Sequence, residues 1–344
     1  MVDVTIRGAG IFGLSIAWAC VQQGATVQVI DPNGVGSGSS GGLVGALAPH
    51  TPENWNEKKE FQFQSLLYAE EFWRDVDAVS ELPSGYARTG RLQPIANDNI
   101  LELAQARANM AKDLWQGKAE WSIVKTEEHD PWSPKSPTGL LIHDSLSARM
   151  HPRLACASLA KALKALGVEF LEEGKSKGAV IWATGYKGLE ELSSTRGRLV
   201  GSGIKGQSAL LGFDARDMPQ LFADTLHIVP HENATVGIGS TSEREFDDPS
   251  STDTQLDDVL ARAIEAFPVL RNARVLERWA GVRPRAKSRA PMLGAHPFRT
   301  GEFIANGGFK IGFGVAPLVS KVMADLALQG VDNIPLSFKP EASL

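Results

Sequence analysis

The sequence predicts an α/β protein, in which a doubly wound, Rossmann-like domain carries an inserted α+β domain built on a mixed or antiparallel sheet. Residues 2–31 read as a strand, a glycine-rich turn, a helix and a second strand, which is the opening unit of a doubly wound parallel sheet. Further along, helical periodicity alternates with short apolar strands, and residues 226–241 read as an antiparallel hairpin. These observations indicate two kinds of sheet in one chain.

The first unit carries a nucleotide-binding pattern. Gly8, Gly10 and Gly13 form G-x-G-x-x-G directly after the strand, and Asp31 ends the second strand. The first glycine permits a tight turn, the second lets a pyrophosphate approach the backbone, and the third lets the helix pack on the sheet. The helix N-terminus favours phosphate, and the acid suits a ribose. We therefore expect a dinucleotide site; the alternative is a purely structural turn with a solvated acid.

A second run of small residues follows at 32–50, where glycine and serine alternate before the apolar segment LVGALAP. Such a run can wrap backbone amides and hydroxyl groups around a second phosphate or a ring system. The alternative is a flexible glycine/serine linker. Because the run is short and leads at once into apolar residues, we expect an ordered loop.

The remaining elements follow from periodicity. An amphipathic helix is expected over 53–77, with Phe63, Leu66, Leu67 and Trp73 in the core. Pro152 and Gly167 fit the first turn and the end of a later helix. In chain order the other expected elements are helices over 99–116 and 149–167, a strand in 179–185, the hairpin 226–241, a helix over 252–267, a strand over 274–282, a strand at 303–305 and a final helix over 314–328.

Composition excludes several classes of protein. The chain has 344 residues and is 43% hydrophobic and 22% charged, so it can bury a substantial core. Its net charge of −5 argues against a general binder of nucleic acid or anionic membranes. Cys20 and Cys156 are the only cysteines and lie far apart, which favours neither a disulfide framework nor a metal site. With no apolar run long enough to span a membrane, we expect a cytoplasmic protein.

Taken together, the motifs resemble those of FAD-dependent oxidoreductases of the D-amino-acid oxidase type, which include glycine oxidase, sarcosine oxidase and the oxidase half of the tRNA-modifying MnmC protein. The similarity rests on short motifs that occur in the family's order. They are the first glycine motif ending in Asp31, the run Ser39-Ser40-Gly41-Gly42 leading to Ala48-Pro49, the strand 180–185 ending in Ala-Thr-Gly, Trp279-x-Gly281-x-Arg283-Pro284, and the turn 306–312 followed by Ala316-Pro317.

The resemblance implies FAD as the cofactor. We expect it to be bound non-covalently, because neither Cys20 nor Cys156 lies next to the expected ring site. One departure concerns residues 168–178, where family members usually carry a β-meander and this chain has only a short connection. The position of the adenine is therefore the least defined part of the implied site. The implied FAD contacts are Gly8, Gly10, Ile11, Phe12, Gly13, Asp31, Pro32, Ser39, Ser40, Gly41, Gly42, Ala183, Thr184, Gly185, Gly281, Arg283, Gly307, Gly308, Phe309, Lys310 and Ile311.

The resemblance also implies residues for substrate binding. Arg283 falls where glycine-oxidase-like members pair with a substrate carboxylate, and a guanidinium matches two carboxylate oxygens at once. Lys310 falls where glycine oxidases have a second arginine, and it could bind a carboxylate or favour the anionic reduced flavin. His227 stands where relatives often have a tyrosine, and His50 follows the second glycine run. For each of these residues a purely structural role is the alternative.

The expected activity is oxidation of the C–N bond of a carboxylate-bearing amino acid or secondary amine, with electrons passing to oxygen or another acceptor. Arg283, Arg285, Lys287 and Arg289 put four cations within seven residues, which is either a solvated run or the mouth of a site for a substrate with several anionic groups. Such a site would fit a dicarboxylic amino acid, an N-carboxyalkyl amine or a carboxymethylaminomethyl group on tRNA. The same motifs would also suit an enzyme that oxidises a 2-hydroxy acid, or a flavin-binding protein without activity.

The same resemblance implies a discontinuous domain organisation. We expect an FAD-binding domain from residues 1–50, 140–200 and 275–335, and a substrate domain from residues 51–139 and 201–274, with 336–344 as a C-terminal tail.

Overall fold

The computed structural model describes residues 1–344. Each helix expected from periodicity is present, with its ends shifted by a few residues. The seven α-helices are α1 (Ile11–Gln22), α2 (Glu57–Ser80), α3 (Asp98–Leu114), α4 (Pro152–Ala165), α5 (Gly185–Arg196), α6 (Thr254–Ala266) and α7 (Gly312–Gln329).

Side-chain caps explain several of the observed helix starts. The Asn56 side chain accepts a hydrogen bond from the backbone N–H of Lys59, so α2 begins at residue 57 rather than at the predicted 53. Asn97 and Asp253 cap α3 and α6 in the same way. Helix α2 buries Phe63, Leu66 and Trp73 as predicted, whereas Leu67 is half-buried. None of the helices combines the length and the apolar character that a membrane span requires.

Sixteen strands form two large sheets and one two-stranded pair. The strands are β1 (Val4–Arg7), β2 (Val27–Ile30), β3 (Gly45–Leu47), β4 (Arg91–Pro94), β5 (Trp121–Lys125), β6 (Leu140–Asp144), β7 (Ala148–Met150), β8 (Glu169–Leu171), β9 (Ala179–Trp182), β10 (Gly201–Gly212), β11 (Gln220–Ala223), β12 (Leu226–Pro230), β13 (Thr235–Gly239), β14 (Arg274–Ala286), β15 (Met292–Ala295) and β16 (Phe303–Asn306).

The first large sheet is the predicted doubly wound one. Its six strands follow the order β15-β16-β9-β1-β2-β8, and every pair is parallel except the edge pair of β15 and β16. The connection 168–178 contributes the short edge strand β8 beside β2. Because β1 lies in the middle, the glycine turn that follows it opens at the carboxyl edge of the sheet, where ligands bind in this class of fold.

The second large sheet is mixed, as the sequence predicted for the inserted domain. Its eight strands follow the order β14-β10-β13-β12-β11-β4-β6-β5, and only β11 and β4 are parallel to each other. The predicted hairpin is present as β12 and β13. Strands β4, β5, β6, β10 and β11 were not predicted. Four of them have only four or five residues, and β10, with 12 residues, shows no clear alternation of apolar and polar side chains.

The predicted domain boundaries stay a prediction. Strands β6 and β14 pair within the eight-stranded sheet, although the sequence-based division assigned residues 140–200 and 275–335 to the nucleotide domain. The C-terminal segment packs on the protein, because Phe338 is buried with its ring centroid 5.0 Å from that of Phe61.

Candidate functional site

The glycine turn between β1 and α1 is too tightly packed for side chains at two of its three glycines. A Cβ atom on Gly13 would lie 1.9 Å from the carbonyl oxygen of Gly8. Gly8 has φ +114°, and a Cβ there would lie 2.3 Å from the carbonyl oxygen of Ala183. Gly10 differs, because its Cβ would meet only the Ser40 hydroxyl, at 3.1 Å. The turn itself therefore requires Gly8 and Gly13, whereas Gly10 leaves its outer side open.

The N-terminus of α1 offers hydrogen-bond donors on that open side. The N–H of Ile11 donates to Ser40 Oγ at 3.0 Å, and the N–H of Leu14 donates to the Gly10 carbonyl. The N–H groups of Phe12 and Gly13 have no such partner, as expected in the first turn of a helix. Together with the positive end of the helix dipole, these two donors fit a phosphate group.

Asp31 supports the turn from the end of β2. Its carboxylate accepts hydrogen bonds from the N–H of Ala9 at 2.7 Å and of Asn33 at 2.9 Å. Each carboxylate oxygen retains a lone pair, and Asp31 is partly exposed, so an additional hydroxyl donor can be accommodated. The neighbouring Pro32 is exposed. Asp31 thus has a structural role in the turn and keeps capacity for a ribose.

The other predicted cofactor segments converge on this region. A Cβ atom on Gly308 would lie 2.8 Å from the ring of Phe12, so the turn before α7 packs directly against the start of α1. The Trp279 ring contacts both Gly42, in the second glycine run, and Gly281. Around these contacts lie the other predicted residues Ser39, Gly41, Ala183, Thr184, Gly185, Gly307, Phe309 and Ile311. Segments far apart in sequence therefore meet at the carboxyl edge of the six-stranded sheet.

A cavity of about 200 Å³ lies beside the eight-stranded sheet. Its walls come from the loop after β3, from α2, from one face of the eight-stranded sheet and from the first residues of α7. The lining residues are Ala46, Leu47, Ala48, Pro49, His50, Gln62, Arg91, Phe222, His227, Lys310, Ile311 and Gly314. The structure thus brings together His50, His227 and Lys310, together with the predicted FAD contact Ile311.

A larger cavity of about 670 Å³ lies between the loop 35–41 and α4. Of the predicted cofactor residues only Gly41 lines it, and no predicted substrate residue does. The smaller cavity is the better candidate for chemistry, because the predicted residues His50, His227 and Lys310 line it.

His227 is enclosed on β12 among three cations. Burial, and then the positive charges of Arg91, Lys310 and Arg283, lower the pKa of His227 to about 3. Its Nδ1 atom is buried without a hydrogen-bond partner, and its ring lies 4.6 Å from that of Phe222. The imidazole is therefore neutral at physiological pH and has an unused polar atom.

Arg283 lies behind this cavity rather than in its wall. Its side chain crosses β10 at Gly206, and its Nη2 donates to Ser240 Oγ at 2.5 Å and to the Thr241 carbonyl at 3.3 Å. The Nη1 atom is buried without a partner. Burial lowers the pKa of Arg283 to about 10, so the guanidinium remains charged at neutral pH. Nη1 is thus the terminal nitrogen of Arg283 that no protein group uses.

Lys310 and His50 form the outer wall of the cavity. Partial burial, followed by the charges of Arg283 and Arg285, lowers the pKa of Lys310. Burial is also the main cause of a lowered pKa at His50. Gln62 fixes the loop that carries His50, since it accepts the N–H of His50 at 2.8 Å and donates to the Ala48 carbonyl at 3.1 Å.

Sequence reasoning missed Arg91, Gln62 and Phe222. Arg91 is buried on β4, where its Nε donates to Asp144 Oδ2 at 2.9 Å. The two residues are 53 positions apart, and no local pattern indicates that they pair. Phe222 precedes the predicted hairpin on a strand that was itself not predicted.

Two histidines with lowered pKa values predict how stability depends on pH. The pKa values of His227 and His231 are each lowered to about 3, mainly by burial. The unfolded chain takes up these protons near pH 6.5, so stability is lost as the pH falls from about 6.5 towards 3. Between pH 6.5 and 5 we expect a loss of roughly 1–2 kcal/mol for each histidine. Equilibrium urea unfolding at the two pH values measures this loss. His231→Gln should make the loss smaller by roughly 1–2 kcal/mol, and an equal loss in wild type and variant would contradict the assignment.

Comparison with known proteins identifies the family. Residues 3–326 match the family described as FAD dependent oxidoreductase (DAO). The glycine oxidase of Pseudomonas putida is 25% identical over 367 residues, which cover 99% of each chain. The glycine oxidase of Bacillus subtilis is 22% identical and covers 95% of this chain and 93% of its own.

Solved structures show the same fold. Iminodiacetate oxidase from Chelativorans sp. BNC1 superposes with a TM-score of 0.85 at 22% identity, covering 98% of this chain and 99% of its own. Glycine oxidase from Geobacillus kaustophilus gives a TM-score of 0.83 at 20% identity, covering 98% and 97%. The predicted fold class is thereby confirmed.

Proposed function

The chain belongs to the FAD-dependent oxidoreductase family, and on that premise we propose that it oxidises the C–N bond of a carboxylate-bearing amino acid or secondary amine. The observation that carries the proposal is the cavity of about 200 Å³, in which a neutral histidine lies among cations. A volume below the ~300 Å³ of drug-sized pockets favours a small substrate. Similarity to glycine oxidases along nearly the whole chain supports the same reaction class.

The chain's own residues bind and orient the substrate. FAD, when bound, supplies the hydride acceptor at its N5 atom. The free edge of Arg283 and the ammonium of Lys310 hold the substrate carboxylate and fix the direction of the amine. His227 is too weak a base to keep a proton at neutral pH, so its role is to hydrogen-bond the substrate rather than to remove a proton. The unpartnered N–H groups of Phe12 and Gly13 hold the pyrophosphate.

The test is anaerobic reduction of the flavin by a panel of compounds. Amino acids and secondary amines with a carboxylate should bleach the visible absorbance of the flavin, whereas the corresponding 2-hydroxy acids should not. Reduction by 2-hydroxy acids alone would replace the proposal by hydroxy-acid oxidation. No reduction by any compound, with FAD bound, would indicate a protein without activity.

Oxidation of a carboxymethylaminomethyl group on tRNA is a second candidate. The four cations at 283–289 favour it, and Lys58 extends this positive region because its Nζ donates to the Arg289 carbonyl at 2.7 Å. The net charge of −5 and the small cavity disfavour it. The same anaerobic assay with modified tRNA decides between the two, and repeating it in air tests whether oxygen is the electron acceptor.

We expect FAD to be bound non-covalently and the enzyme to work in the cytoplasm. Both cysteines are free and buried, and burial raises the pKa of each to about 12, so neither is available as a nucleophile. Acid precipitation should therefore release all the yellow colour into the supernatant. Colour retained in the pellet would contradict this, and His50, which lines the cavity, would be the first attachment point to examine.

A further inference from the structure

Arg91 presents an unused hydrogen-bonding edge to the cavity. Its side chain is 8% exposed, and its Nε donates to Asp144 Oδ2. The two Nη atoms make no hydrogen bond within the protein, although Arg91 lines the cavity. Those two atoms form the edge of a guanidinium that matches the two oxygens of a carboxylate.

Asp144 positions this edge. It is fully buried, and its Oδ1 accepts the N–H of Ser147 at 2.8 Å while its Oδ2 accepts from Arg91. Because the contact is made through Nε, the guanidinium is held from the side and its terminal edge is left free. The edge formed by Nη1 and Nη2 therefore has no part in this ion pair.

The sheet register aligns Arg91 with the other site residues. Arg91 pairs with Gln220, and Phe222, two residues further along β11, pairs with His227. Since residues two apart in a strand share a face, Arg91, Phe222 and His227 lie on one face of the eight-stranded sheet. Arg91 thus lies on the same face as His227, and its positive charge, like those of Lys310 and Arg283, lowers the pKa of His227.

We propose that Arg91 is a second carboxylate anchor and that the preferred substrate is a dicarboxylic amine or amino acid. This inference rests on the proposed function of the same site. One carboxylate pairs with the Nη edge of Arg91, and the other pairs with Lys310 and Arg283. A monocarboxylic substrate leaves one of these groups without an anion, which costs affinity.

Positive charge at the outer side of the cavity is consistent with a dianion. The positive charges of Lys58 and Lys59 on α2 both help to lower the pKa of His50, and the charge of Arg285 helps to lower the pKa of Lys310. Such a distribution raises the local concentration of a doubly charged substrate more than that of a singly charged one.

Binding of a matched pair of unreactive ligands tests the anchor without catalysis. Diglycolate and methoxyacetate are both ethers and differ by one carboxylate. Calorimetry with the FAD-loaded protein should show diglycolate binding about tenfold or more tighter, and Arg91→Met should bring the two affinities close together. Arg74→Met, which removes an exposed arginine of α2, is the control and should keep the wild-type ratio.

Equal affinities in the wild type, or an equal loss for both ligands in Arg91→Met, would overturn the proposal. If Arg91→Met does not fold because Asp144 is left unpaired, the double variant Arg91→Met/Asp144→Asn removes the buried charge and keeps an acceptor for Ser147.

Flavin reduction by iminodiacetate and by sarcosine separates the proposed function from the proposed anchor. If neither reduces the flavin but diglycolate binding still depends on Arg91, the proposed function fails and the anchor stands. If both compounds reduce the flavin and Arg91→Met leaves the ratio of their reduction rates unchanged, only the anchor fails.

Discussion

Arg283→Ala is expected to lower kcat/KM for the amine substrate by roughly thirty-fold to several thousand-fold while FAD remains bound. The guanidinium keeps one buried nitrogen without a protein partner, and its other terminal nitrogen is held by Ser240 and Thr241. Removing it leaves a substrate carboxylate without its charge-assisted partner in a partly dry site. The loss should therefore appear in substrate binding and in flavin reduction.

Arg283→Lys should recover only part of the activity, because one ammonium cannot both hold Ser240 and present a planar edge. Rapid-reaction measurement of flavin reduction over a range of substrate concentrations gives the rate and the apparent affinity separately, and the flavin spectrum reports bound cofactor. If Arg283→Ala loses FAD, its role is structural. If it reduces as fast as wild type with unchanged affinity, the clamp lies elsewhere, and Lys310 and Arg91 become the better candidates.

Replacing glycines in the first turn should separate cofactor binding from folding. Gly10→Ala should yield folded protein that is mostly free of FAD, because the new methyl group occupies the side that a pyrophosphate approaches. Gly13→Ala should yield little folded protein, since its Cβ would lie 1.9 Å from the Gly8 carbonyl oxygen. Both variants add one methyl group to the same turn, so any difference in folding or FAD content between them arises from the surroundings of that methyl group.

Gly38→Ala is the control for these substitutions, because a Cβ atom there has nothing within 4 Å and φ is −86°. Bound flavin per protein and thermal unfolding of each variant provide the two measurements. A yellow, fully loaded Gly10→Ala protein would show that the pyrophosphate does not pass this residue, and a stable Gly13→Ala protein would show that the turn can rearrange.

The parts of the fold that the sequence predicts are those determined by neighbouring residues. The first βαβ unit follows from Gly8 to Asp31, and α2 follows from its apolar periodicity. The hairpin of β12 and β13 was also predictable, since both strands and their turn lie within one short segment. In each case the signal and the structure occupy the same stretch of chain.

The site could be predicted only in part, because its geometry depends on pairing between distant segments. His227 was identified as a candidate, but its low pKa arises from burial and from Arg91, Lys310 and Arg283, which belong to three other segments. Arg91 itself becomes notable only once Asp144 is seen to hold it by Nε. Short strands such as β4 and β11, which carry Arg91 and Phe222, lack the alternation from which strands are recognised.

The most direct test of the account is the rate of anaerobic flavin reduction by iminodiacetate, compared with the same compound carrying deuterium on the carbons next to nitrogen. Transfer of a hydride from that carbon requires the C–H bond to break as the flavin is reduced. We expect rapid bleaching of the flavin by ordinary iminodiacetate and bleaching slowed several-fold by the deuterated compound, at saturating substrate. Absence of bleaching by iminodiacetate, or equal rates for the two compounds, would contradict hydride transfer from the carbon next to nitrogen.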